Sequence, residues 1–131
     1  MYTCKTKEDL KALIDGRIER DPEYATTESI KDIDGMVKQY NKSLKSYEFW
    51  TKKFKKFDSP KDGKESFANQ VQKQENSGNS IYQWTMDKCE WQIEVITKCV
   101  EEYLTKQGDE KTLKATMKKI NTRVAKLGKT A

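Results

Sequence analysis

Between Ser80 and Gln107 the apolar residues step by four and three without a break: Tyr82, Met86, Cys89, Ile93, Ile96, Val100, Tyr103. A heptad pattern held for three repeats predicts one long helix with an apolar seam, and such a seam is stable only against another. Ser80 and Gln83 have capping-box spacing, and Gly108 stands where a left-handed residue closes a helix, so Ser80 and Gln107 are the expected bounds. At about 1.5 Å per residue the rod would be roughly 40 Å long.

A partner seam precedes it: Ile30, Ile33, Val37, Tyr40, Leu44, Tyr47, Thr51 and Phe54, bordered by Met36, Phe49, Trp50 and Phe57. Its helix should stop near Asp58-Ser59-Pro60, because proline disfavours helical geometry in the residue before it. Two rods of matching length, antiparallel and crossing at about 20°, would bury both seams.

Shorter pieces flank the pair. Thr6 and Asp9 have cap spacing ahead of Leu10, Leu13, Ile14 and Ile18, which predicts a short amphipathic helix closing before Asp21-Pro22. Thr26 or Thr27 is expected to accept from the free amides of the next helix. After Gly108, Asp109 can cap a last helix with a narrow seam of Leu113, Met117, Ile120, Val124 and Leu127. Residues 59–79 begin Pro-Lys-Asp-Gly after Ser59 and close on Asn-Ser-Gly-Asn, turn-like at both ends, with Phe67 and Val71 anchoring at most one short helix from about Lys64 to Gln74. The expected architecture is a single all-α domain, 1–131. It is a small helical bundle built on a long antiparallel helical hairpin, with a packed C-terminal helix and a mobile insertion near 59–79.

Composition suits long helices with wet outer faces: 36% of residues are charged and 34% apolar, against usual values of about 25% and about 45 to 50%. No run approaches a membrane span and the amino end lacks a signal-peptide pattern, so a cytoplasmic protein is expected, in the host cytoplasm if it is viral. Histidine is absent, which removes the commonest general base and metal ligand. Cys4, Cys89 and Cys99 have no CxxC spacing. Cys89 and Cys99 would lie about 15 Å apart along one helix, too far for a disulfide. No phosphate loop or nucleophile elbow is present, and no cofactor, metal or catalytic residue is expected. The motifs carry no family signature.

Charge, by contrast, is segregated. The net of +5 divides into −3 over residues 1–37, +6 over 38–64, −5 over 65–110 and +7 over 111–131. Such blocks call for internal pairing or an external polyanion. Four groups stand out. Trp50, Lys52, Lys53, Lys55 and Lys56 interleave rings with cations, the mixture that phosphates and unpaired bases favour, with Trp50 the ring expected outside. Lys111, Lys114, Lys118, Lys119, Arg123, Lys126 and Lys129 follow the last acidic residue, Glu110. Asp87, Glu90, Glu94 and Glu101 form an acidic ridge, expected to pair with those terminal cations. Trp84 and Trp91, seven apart, form a docking strip if they are exposed.

The first functional reading is a non-enzymatic protein binding DNA or RNA through its phosphate backbone, using Trp50, Lys52, Lys53, Lys55, Lys56, Lys118, Lys119, Arg123 and Lys126. The second is a helical interaction module or inhibitor of phage or mobile-element type, docking a host protein through Trp84, Trp91 or the mobile segment of the 60s and 70s. Self-association into a homodimer through the heptads is a third.

Overall fold

The computed structural model describes the backbone of residues 3–57 and 65–128 and the side chains of residues 3–52 and 81–128. Among them the chain folds as α1 (Lys7–Arg20), a 3-10 turn (Pro22–Ala25), α2 (Glu28–Phe57), α3 (Glu65–Gln107) and α4 (Glu110–Val124). The most extensive contact joins α2 to α3, while α1 lies on α3 and α4 lies on both. This is the small helical bundle, a long antiparallel hairpin with a packed C-terminal helix, that the seams predict.

α2 is described as far as Phe57, and the stop expected near Asp58-Ser59-Pro60 lies outside the described residues. α3 differs from expectation, for it starts at Glu65 and runs 43 residues, about 65 Å at 1.5 Å per residue. Ser80 therefore lies inside the helix and not at its start. The short helix expected from Lys64 to Gln74 belongs to this longer one. Turn-like residues mislead here because Gly, Asn and Ser cost a helix interior only about 0.5 to 1 kcal/mol each, and no proline follows Pro60. The insertion expected near 59–79 falls on residues 58–64, outside the described residues, and on the first turns of α3, whose side chains are also outside them.

The core gathers at one end of the hairpin. Ile33 and Val37 of α2, Cys89, Ile96 and Val100 of α3, Leu10 and Ile14 of α1 and Ile120 of α4 are all 2% exposed or less. Farther along, Leu44, Tyr47, Thr51 and Tyr82 are only half-buried.

Thr6 accepts from the Asp9 amide at 3.1 Å, starting α1 as its spacing predicts. Leu10, Ile14 and Ile18 are buried against the core, each contributing about 1.5 to 3 kcal/mol. Leu13 sits about 100° from their stripe and stays 42% exposed. In the 3-10 turn, Tyr24 is fully buried and its hydroxyl donates to Asp32 Oδ2 at 2.9 Å. The Arg17 guanidinium lies 4.5 Å from the centre of that ring and also pairs with Glu28, joining α1 to α2. Thr26 and Thr27 do not act as expected. Their hydroxyls donate to the Glu23 carbonyl, at 3.2 and 2.8 Å, and so close the 3-10 turn.

Gly108, at φ 73°, reverses the chain after α3. Asp109 then accepts from the Thr112 amide at 3.1 Å and from its hydroxyl at 2.6 Å. That hydrogen bonding, the hydroxyl's first, holds the Asp109 carboxyl below its ordinary value. α4 buries Thr116 and Ile120 and leaves Leu113, Met117, Val124 and Leu127 half-buried, the narrow seam read from its sequence.

Candidate nucleic-acid interface

The disposition of the terminal cations turns on what the acidic ridge of α3 does. Glu94 meets Lys7 of α1 at 4.0 Å and Lys98 at 3.2 Å, and Glu102 meets Lys11 of α1 at 3.9 Å. The Lys98 hydrogen bond, then the Lys7 charge, keep the Glu94 carboxyl below the usual range. Glu90 faces Tyr40 of α2, whose phenol is raised by burial first and then by that carboxylate. Among the described residues no ion pair joins α4 to Asp87, Glu90, Glu94 or Glu101. The expected pairing of ridge and terminal helix is thus absent among the described residues, where Glu94 is the ridge carboxylate with ion pairs, to Lys98 of α3 itself and to Lys7 of α1. The reason is topological: α1 and α4 pack on α3 without touching each other, and it is α1 that reaches the ridge.

The lysines of α4 face water. Lys111, Lys114, Lys118 and Lys119, and Lys126 in the turn after the helix, are exposed and make no ion pair among the described residues. Arg123 is half-buried, and its guanidinium donates to the Lys119 carbonyl at 3.2 Å. Such a hydrogen bond satisfies a carbonyl of the last turn, where a cation is also favoured by the helix dipole.

α2 adds a second set. Lys38, Lys42, Lys45, Phe49 and Lys52 are all exposed and fall within about 80° of one another around the helix. Their row extends about 21 Å along the axis. Lys38 is paired with Asp34 at 3.2 Å, whereas Lys42, Lys45 and Lys52 have no acidic partner among the described residues. The two basic sets meet at Asn41. Its side-chain amide donates to the Lys126 carbonyl at 3.0 Å, and its oxygen accepts from the Gly128 amide at 2.8 Å. Asn41 thereby clasps the end of α4 one residue from Lys42, and Gly128 supplies the φ of 79° that the clasp uses.

Of the residues expected in the site, Lys52, Lys118, Lys119 and Lys126 are exposed on these two surfaces. Lys53, Lys55 and Lys56 lie on α2, but their side chains fall outside the described residues. Trp50 is half-buried, and its neighbour Phe49 is the ring outside, 54% exposed and edge-on to Trp50 at 5.3 Å. The row of Lys38, Lys42 and Lys45 escaped the sequence reading, although it steps by four and three as the apolar seams do. The clasp at Asn41 leaves no trace in sequence, since its partners are more than eighty positions away.

The tryptophans of α3 part company. Trp91 is half-buried against the core, whereas Trp84 is 59% exposed with the Lys88 ammonium 4.8 Å from its ring centre. Beside it Ile81 is 62% exposed. Chemically, the described surface offers exposed cations and two rings that are more than half exposed, Phe49 and Trp84. Among the described residues no three histidine, cysteine or acidic side chains converge on a metal position, and no helix is long and apolar enough to cross a membrane. The chain matches no protein-family model, no curated protein and no solved structure.

Proposed function

We propose that this protein is a non-enzymatic, cytoplasmic nucleic-acid-binding protein that holds the phosphate backbone against α4 and the lysine row of α2. The observation that carries the reading is the exposure of the terminal lysines: Lys111, Lys114, Lys118, Lys119 and Lys126 lie in solvent, and among the described residues no carboxylate of the acidic ridge pairs with them. Like charges at Lys114 and Lys118, and at Lys119 and Arg123, lie four residues apart and repel by a few tenths of a kcal/mol per pair. A polyanion relieves that repulsion and releases counterions as it binds. Backbone contacts of this kind position a strand without reading its sequence.

Charge reversal separates the surfaces. Changing Lys118, Lys119 and Lys126 to Glu is expected to abolish binding of a labelled 30-nucleotide DNA or RNA at 50 mM salt, with helicity unchanged by circular dichroism. Changing Lys7 and Lys11 to Glu, on the paired face, should leave binding within about twofold. Equal effects from the two sets would remove the assignment of the site to α4.

Trp84 and Ile81 support a second reading, docking of a host protein. It requires a nuclease-resistant partner whose capture is lost in Trp84→Ala. Trp91, half-buried, would contribute little surface to it.

A further inference from the structure

We infer that the site prefers single-stranded over double-stranded nucleic acid, with the Phe49 ring stacking on an unpaired base while Lys42, Lys45 and Lys52 hold the phosphates on either side. The inference rests on the nucleic-acid reading and adds the form of the strand. Phe49 keeps 54% of its surface exposed on α2, with exposed Lys45 and Lys52 one turn away on either side and Ser46 and exposed Glu48 also beside it. Lys45 precedes it by four residues and Lys52 follows it by three, about one turn in each direction. Trp50 supports the ring from the side, meeting it edge-on with an interplanar angle of 82°. An edge-on neighbour is the preferred geometry for an aromatic pair and fixes the ring's orientation.

A cation row alone binds any phosphate backbone. A half-exposed ring in the row adds to that binding where base faces are accessible. In a duplex those faces are stacked on one another, and a side chain meets base edges, chiefly the thymine methyl when it is apolar. In a single strand every base offers a π-face, and stacking is tolerant of sequence. The pattern of lysine, ring and lysine along a straight helix therefore matches an extended single strand, with phosphates on the cations and one base on Phe49.

The test is a fluorescence-anisotropy titration of the full chain with a labelled 30-nucleotide single strand and with its duplex, at fixed low salt. The wild type should bind the single strand more tightly. Phe49→Ala should weaken single-strand binding by roughly 5- to 150-fold, leave duplex binding within twofold, and leave the salt dependence unchanged because the ring neutralises no phosphate. Phe49→Leu, which keeps the apolar bulk, should lose as much, and Phe49→Trp should retain binding. Equal binding of both forms, or a Phe49→Ala variant that loses nothing while reversal of Lys42, Lys45 and Lys52 abolishes binding, overturns the stacking role and leaves the nucleic-acid reading standing. Absence of binding to either form overturns both.

Discussion

Cys99 faces Asp15 and Glu102 across the seam between α1 and α3, and its thiol is pushed up to about 12, first by burial and then by the charge and hydrogen bond of Asp15. Burial raises Cys89 as well. Thiols held protonated inside a core are poor nucleophiles. In the native protein one thiol, that of half-buried Cys4, should react quickly with Ellman's reagent, and all three should react after denaturation. Rapid modification of three thiols in the native state would contradict the packing of α1 on α3. At the same scale the sequence was read one residue off. The ring expected outside is Trp50, yet Phe49 occupies the row of Lys45 and Lys52 while Trp50 is half-buried, and helical phase decides exposure rather than residue type.

The helices divide into those held by apolar stripes and those oriented by charge, and α1 shows both. Its three buried aliphatic side chains outweigh its exposed ion pairs with α3, which at about 4 Å in water contribute little. Ile14→Ala is expected to cost about 2 to 5 kcal/mol in a denaturant titration, whereas Lys7→Ala should leave the midpoint nearly unchanged. The acids that α1 and α4 use, Glu94 and Asp109, both have depressed values in the folded chain. Depressed carboxyls stabilise above their unfolded values, so this contribution is complete above about pH 5 and is lost as the pH falls through the lowered values. A thermal midpoint that falls from pH 5 to pH 3 in the wild type, and falls less in Glu94→Gln, checks the sign. The element scale is also where the sequence was most legible. Leu10, Ile14 and Ile18, the seams of α2 and α3, and the four-three spacing of α4 each specify a buried face, because periodicity survives without knowledge of the neighbour. The start of α3 was not legible, since the cost of Gly78 and the adjoining Asn and Ser is small against a continuous hydrogen-bonded rod. Nor were the partners of the acidic ridge, because α1 is charge-balanced in sequence and gives no sign that its Lys7 reaches Glu94.

At the scale of the whole molecule, the order of packing converts segregated charge into two unlike faces. α1 neutralises part of the acidic side of α3, and the clasp at Asn41 brings the end of α4 beside the lysines of α2. The net charge of +5 understates the result, since the balancing acids are spent elsewhere. Removing the clasp with Asn41→Ala should cost about 0.5 to 1.5 kcal/mol per hydrogen bond lost. It should also weaken nucleic-acid binding without removing a single cation. The most direct test of the account is the salt dependence of binding to a single-stranded 30-mer from 50 to 300 mM NaCl. Six phosphate contacts, from Lys42, Lys45, Lys52, Lys118, Lys119 and Lys126, predict that log K falls against log salt with a slope of about −4. A slope near zero, or no complex at 50 mM, would contradict it.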